Sequence, residues 1–287
     1  MHRLTEFAAD ITSQNGEDGM LAELINELQI PAGLCIEFGA WDGRHLSNTW
    51  TLWAQRGWPA LLIEADPDRF TLLQHETSGF PVTALCTTVG TDPGSSLDRI
   101  VSNAKIHHDI AVLSIDIDGN DYWVWKATRL KPAILVIEYN ASFPPEVSYV
   151  PAMGTYIGAS AAALVELSSQ QGYTLIDLTK TNLIFVRDDL STQLTIDILP
   201  LEQLFDRTWV PVVYSDMYGI HHLMRPAQWG FAGLRADIGI TRVTGRVRHI
   251  IVSPGKWLSH RNVPVVSQRL RALIDRHSRS AFRRRPS

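Results

Sequence analysis

Three aspartates, Asp116, Asp118 and Asp121, fall within six positions directly behind the apolar run Ile110-Ala111-Val112-Leu113, and Tyr122, Trp123 and Trp125 follow at once. A carboxylate that emerges from an apolar run can serve as a general base or as a metal ligand. A second run, Ile134-Leu135-Val136-Ile137, ends the same way in Glu138-Tyr139-Asn140. Two carboxylates and an amide oxygen on neighbouring strand ends are hard oxygen donors suited to Mg²⁺ or Ca²⁺, so Asp116, Glu138 and Asn140 are the expected metal set. Such a metal would orient a substrate diol and lower the pKa of one hydroxyl. Without it, Asp116 or Asp118 would take the hydroxyl proton. Asp118-Gly119-Asn120-Asp121 also reads as a turn in which Asn120 or Asp121 caps a helix starting at Tyr122. Asp116 is therefore assigned to function and Asp121 to capping, while Asp118 stays open between the two; the catalytic candidates are Asp116, Asp118 and Glu138.

Two further stretches carry chemistry. Glu37-Phe38-Gly39-Ala40-Trp41-Asp42-Gly43 closes one apolar run, with glycines that let a backbone approach a ligand closely. The dinucleotide fingerprint is absent, because Trp41 stands where its second glycine would be. Leu61-Leu62-Ile63 ends in Glu64-Ala65-Asp66-Pro67, and a carboxylate at that place commonly accepts hydrogen bonds from the two hydroxyls of a ribose. Either stretch alone is also an ordinary strand-to-helix turn; together they favour a nucleoside ligand.

The elements that must position these residues alternate from residue 33 to about 178. Runs of five or six apolar residues are separated by amphipathic windows, among them residues 47–57, 68–79, 95–105, 121–130 and 159–171. That alternation predicts a doubly wound α/β domain with a mostly parallel sheet. Tyr173-Thr174-Leu175-Ile176-Asp177-Leu178 and Asn182-Leu183-Ile184-Phe185-Val186-Arg187 are separated only by Thr179-Lys180-Thr181, enough for a hairpin and too little for a crossover, so the seventh and last strand is expected to run antiparallel. Residues 1–189 form the expected cofactor-binding domain. Residues 190–287, interrupted throughout by proline and glycine, read as an irregular C-terminal extension supplying substrate contacts or a homo-oligomer interface.

Glu37 to Gly43, Leu61 to Pro67, the closing hairpin and the opening Ser13-Gln14-Asn15-Gly16-Glu17-Asp18-Gly19 together resemble a class I S-adenosylmethionine-dependent methyltransferase of the FkbM type, over residues 12–189. The resemblance implies a Rossmann-like methyltransferase fold, S-adenosylmethionine as cofactor, and transfer to a hydroxyl of a small polar or sugar-like acceptor. It places Glu37, Gly39 and Gly43 at the methionine part of the cofactor and Glu64 at the ribose, with Ala40 and Ala65 beside them. Gln14 and Asp18 fall where that family closes its cofactor pocket. The chain departs from the pattern at Trp41 and after the third strand, where Thr87-Thr88-Val89-Gly90 lacks the acidic residue that often meets the adenine amino group. A nicotinamide-dependent oxidoreductase and a non-catalytic binding module on the same fold are the rival readings.

Composition bounds the rest. With 45% hydrophobic and 20% charged residues the chain is globular. The first twenty residues hold four acids and no apolar stretch of signal-peptide length, and no run reaches a membrane span, so a cytoplasmic protein is expected. Residues 242–287 contain 12 Lys and Arg against one acid, leaving 14 basic and 29 acidic residues before them. This tail reads as a solvated terminus beside an acidic body, with no specific nucleic-acid partner. Cys35 and Cys86 are expected to be inert core thiols, and one of Trp123 and Trp125 is expected to be exposed, since both cannot face the core of one helix. His107-His108 and His221-His222 lack ligand spacing; Tyr218 and His222 are lid candidates.

Overall fold

In the computed structural model the described residues are 2–106, 108–117 and 119–210, followed by the backbone of 213–215, 220–223 and 241–244. The chain divides into two compact units, Met1–Asp206 and Arg207–Ser287. The first is built on seven strands: β1 (Leu34–Phe38), β2 (Ala60–Glu64), β3 (Val82–Cys86), β4 (Ile110–Ile115), β5 (Ile134–Glu138), β6 (Tyr173–Leu178) and β7 (Asn182–Arg187). Their order is β3-β2-β1-β4-β5-β7-β6. Strands β1 to β5 pair in parallel, and β7 runs antiparallel between β5 and β6. The doubly wound sheet with an antiparallel last strand is thus the Rossmann-like fold expected from the sequence.

The longer helices are α1 (Glu17–Glu27), α2 (Pro67–Glu76), α3 (Leu97–Ala104), α4 (Asp121–Ala127) and α5 (Ala161–Gln170). Most begin where an oxygen can satisfy free N–H groups. Asp66 accepts from the N–H groups of Asp68 and Arg69 ahead of Pro67 at the first turn of α2. Ser96 and Ser160 do the same for α3 and α5. Helix α1 was not read from the sequence, although Met20, Leu21, Leu24, Ile25 and Leu28 follow helical spacing, and all five are buried. The helix expected over 47–57 shrinks to a π-helical turn, Thr51–Gln55, because the residues before it turn their donors toward a buried carboxylate described below.

Both faces of the sheet are covered, as its near-continuous apolar strands require. On one face Cys35, Ala60, Leu62, Val112, Ile134, Val136, Ile184 and Val186 pack with Met20, Leu21 and Leu24 of α1 and Leu73 of α2. Leu34, Ile36, Phe38, Leu61, Ile63, Leu113 and Leu135, of the opposite parity, are equally buried. Strand β3 lies at the edge, which corrects one expectation: Cys35 is a core thiol, but Cys86, at the end of β3, is exposed.

The two tryptophans of α4 divide the work. Trp125 is fully buried, lies edge-on to Tyr173 at 5.2 Å and donates its Nε1–H to Ser168 Oγ at 3.0 Å. Trp123 is half-buried rather than exposed, and its Nε1–H donates to the Pro151 carbonyl at 2.9 Å, pinning the loop between β5 and α5. The second unit holds three short antiparallel strands, β8 (Val213–Ser215), β9 (Ile220–Leu223) and β10 (Thr241–Thr244), ordered β10-β9-β8. They give part of the extension a regular backbone that its prolines and glycines concealed. The side chains of His221 and His222, and Tyr218 and His107 altogether, lie outside the described residues, as does the arginine-rich end.

Replacing the fully buried indole leaves a large cavity, so Trp125→Ala is expected to lower unfolding stability in urea by about 3–5 kcal/mol. Trp123→Ala, which loses one hydrogen bond and part of a surface contact, should cost about 1–2 kcal/mol. Equal losses would mean that the two rings share the core.

Candidate functional site

Strand alternation puts the acidic ends of the strands on one face. Glu37, Glu64, Ser114, Asp116 and Glu138 have the same parity as the core residues Cys35, Leu62, Val112 and Val136, and so rise from the α1 side of the sheet at its carboxyl edge. Glu138 pairs across the β5–β7 ladder with Asn182, which brings the start of β7 into the same row. In an open α/β sheet, the crevice outside this edge is where ligands bind.

The turn after β1 fits against β4 at backbone distance. Gly39 has φ +76, and a Cβ there would lie 2.0 Å from the Asp116 carbonyl oxygen, so only glycine permits the approach. Gly43 has φ +84, and a Cβ there would lie 2.8 Å from Leu73. Between them, buried Ala40 donates its N–H to the Ile63 carbonyl at 3.1 Å. The Glu64 carboxylate, buried at the end of β2, locks this turn: Oε2 accepts the Trp41 N–H and Oε1 the Asp66 N–H, each at 2.8 Å. Ala65, next to it, is exposed. A carboxylate oxygen has two lone-pair positions, and each Glu64 oxygen uses one of them in these two bonds.

Glu37 is occupied differently. Its carboxylate accepts from Ser47 Oγ at 2.6 Å, Asn48 N–H at 2.9 Å and Thr49 Oγ1 at 2.6 Å, while Asn48 Nδ2 continues to Ser114 Oγ at 3.0 Å. Burial pushes its pKa above the ordinary 4.5, and the three donors pull it back only in part. The Glu37 carboxylate thus holds the 47–49 segment. Asp18 acts likewise: its Oδ2 accepts the N–H groups of Ile11, Thr12 and Ser13 at 2.8–2.9 Å. That turn presents Gln14 with its side chain exposed. The buried Glu17 receives Asn15 N–H, Thr179 Oγ1 and Asn182 Nδ2, tying α1 to the β6–β7 hairpin. Sequence reasoning missed Glu17, Ser47, Asn48, Thr49 and Asn182. Only the density of short polar side chains marks them, and no spacing says which carboxylate they serve.

Asp116 stands exposed just beyond β4. Asp121, expected to cap a helix starting at Tyr122, is instead the first residue of α4: it is buried, and its oxygens accept the Ile117 and Gly119 N–H groups at 2.9 Å, closing the turn after β4. Helix α4 begins at Asp121, with Asn120 at its N-cap position making no side-chain cap; the Asn120 amide oxygen accepts the Gly154 N–H instead, at 2.8 Å. Asp118 lies outside the described residues. Glu138 is largely buried, and the Asn140 amide oxygen accepts the Ser142 N–H at 2.9 Å. Among the described residues no three His, Cys, Asp or Glu side chains group as a metal site. The expected Mg²⁺ set of Asp116, Glu138 and Asn140 thus gains no support among the described residues.

Shape alone does not mark the edge. Surface clefts of about 620 and 510 Å³ are lined by residues such as Ile30, Arg56, Gly33, Pro59 and Asp109, which precede β1, β2 and β4 and lie at the opposite end of the sheet. No helix among the described residues is long and apolar enough to cross a membrane.

No protein-family model and no curated protein sequence matches the chain. Among solved structures it is similar to TrmK of M. capricolum in complex with the cofactor product S-adenosyl-homocysteine, at 12% identity over 66% of this chain and 76% of that one, with a TM-score of 0.40. It is similar to CalS10, an amino pentose methyltransferase of Micromonospora echinaspora with bound SAM, at 11% identity over 60% and 91%, TM-score 0.35. A third likeness is to the citrinin polyketide synthase CMeT domain, at 12% identity and TM-score 0.37 over 55% of this chain, which spans about half, 46%, of that one. Likenesses of this size add nothing to the fold read from the strand order.

Because the folded state raises the pKa of Glu37, it binds that proton more tightly than the unfolded chain does. The resulting stability is fully present below about 4.5 and is lost as pH rises through the folded value. The expected outcome is that Glu37→Gln gains on wild type between pH 4.5 and 7.5 when urea midpoints are compared. A difference independent of pH would mean that the three donors hold Glu37 at its ordinary value.

Proposed function

We propose that this chain is an S-adenosylmethionine-dependent methyltransferase that transfers a methyl group to a hydroxyl of a small polar, sugar-like acceptor. The observation that carries the reading is the Glu64 carboxylate. It is buried at the end of β2, fixed by one N–H on each oxygen, and keeps an acceptor position on each for one of two neighbouring ribose hydroxyls. The glycine turn packed on the Asp116 carbonyl supports it by bringing the β1 loop close to the crevice. The crowding of Trp41 where a pyrophosphate would need glycine weighs against a dinucleotide.

S-adenosylmethionine supplies a methyl group on a positively charged sulfur. The chain's own part is to hold the nucleoside at Glu64 and to align the acceptor oxygen behind the methyl carbon. As the new C–O bond forms and the C–S bond breaks, the electron pair stays on sulfur and the acceptor proton passes to a carboxylate. Asp116 is assigned that proton, since it stands exposed one residue past β4 at the carboxyl edge of the sheet. Glu138, beside it on β5, is assigned to orienting the acceptor. Gln14 covers the crevice from the loop held by Asp18. Residues 190–287 are proposed to contribute acceptor contacts or a homo-oligomer interface.

Calorimetric titration with S-adenosylhomocysteine, with NADH as control, tests the reading. Saturable heat is expected with the first only, weakened about tenfold or more by Glu64→Ala and Glu64→Gln, since charge-assisted hydrogen bonds contribute about 1.5–3 kcal/mol each. Cys86 gives an independent readout, because it is exposed, pairs in register with Glu64, and Cys35 is buried. S-adenosylhomocysteine should slow its reaction with a thiol reagent. Heat with NADH alone, or no protection of Cys86 at saturating ligand, would overturn the assignment of Glu64 to a ribose.

A further inference from the structure

The turn after β1 contains a residue that its backbone disfavours. Trp41 has φ +50, in the left-handed region, where a bulky side chain is strained and glycine is not. The indole adds little to the core, being 37% exposed. The Arg69 guanidinium lies 3.8 Å from the ring centroid, stacking distance, and so covers one indole face. His45 meets the ring edge-on, with centroids 5.0 Å apart. The exposed area is what these two neighbours leave. The same residue's backbone N–H is bonded to Glu64 Oε2, so this open aromatic surface is tied to the carboxylate assigned to the ribose.

A strained, solvent-facing, cation-braced ring beside a ribose site has a physical use in stacking. The stretch directly after β3, Thr87-Thr88-Val89-Gly90, holds no carboxylate for the edge of a purine. Recognition of the base by its face fills that gap, since every purine has a π-face whatever its edge presents. We propose that Trp41 is a stacking residue for the purine of the ligand whose ribose Glu64 holds, with Arg69 bracing the opposite face of the indole. The proposal rests on the reading of Glu64 given above.

Calorimetric titrations of wild type, Trp41→Phe, Trp41→Ala and Trp41→Gly with S-adenosylhomocysteine and with adenosine test it. Trp41→Ala and Trp41→Gly are expected to raise Kd by about five- to 150-fold, the range that base stacking on an aromatic side chain supplies, and Trp41→Phe by about threefold or less. The loss should be the same for both ligands, because both carry the purine. Since glycine relieves the strain, the Tm of Trp41→Gly should not fall. A loss confined to S-adenosylhomocysteine would put the ring at the amino-acid end and overturn the proposal, as would a fall in affinity matched by a fall in Tm. Tight wild-type binding untouched by Trp41→Ala would overturn this inference alone. Absence of wild-type binding would overturn it together with the methyltransferase reading.

Discussion

An ionised carboxylate leaves water only if something replaces its hydration, and the carboxyl edge of this sheet is organised by that requirement. Glu17, Asp18, Glu37, Glu64 and Asp121 are all buried, and each directs its oxygens at the backbone or hydroxyl donors of a particular segment. Asp18 gathers residues 11–13, Glu37 gathers 47–49, Glu64 joins the β1 and β2 loops, and Asp121 closes the turn after β4. Glu17 draws the β6–β7 hairpin to the start of α1. Loops so held are fixed by the strands beneath them. Asp177 extends the device to the amino terminus, where its buried carboxylate receives Arg3 at 2.9 Å and the Thr5 N–H.

One acid of this edge differs from the others in being exposed. Protonating a carboxylate filled by loop donors would disturb the bonds that shape the loop. Asp116 lies one residue past β4, its carbonyl is the surface against which Gly39 packs, and its side chain is exposed. The backbone of one residue thus fixes the glycine turn while its side chain meets water.

The strands were legible because fully buried parallel strands leave unbroken apolar runs, and the parity of Glu37, Glu64, Asp116 and Glu138 against Cys35, Leu62, Val112 and Val136 could be counted from the sequence. The antiparallel last strand followed from the three residues between β6 and β7. What the acids do there was not legible, because a carboxylate at a strand end reads the same whether it faces a ligand or a loop. Glu37 and Asp18 read as ligand contacts, and in the structure both hold backbone; the donors that they hold, Ser47 to Thr49 and Ile11 to Ser13, are selected by tertiary contact. The exposure of Cys86 turns on β3 being an edge strand, which its five apolar and small residues do not reveal. Helix α1 had the spacing of a helix but opens at Gly16, a residue that offers no side-chain cap.

On the function proposed here, the same carboxylates give the crevice a property beyond shape. Their positions are set before any ligand arrives, so the field of the edge does not have to reorganise during reaction. The substrate form of the nucleoside is a cation at sulfur and the product is not. A unit charge roughly 8 Å from one ionised carboxylate gains on the order of 2 kcal/mol at an effective dielectric of about 20, and that attraction vanishes on transfer. On the proposed function, an ionised acid at this edge would favour the methyl donor over its product by charge alone. The strain at Trp41 acts on the other end of the ligand, where donor and product are identical, and so sets affinity without setting that difference.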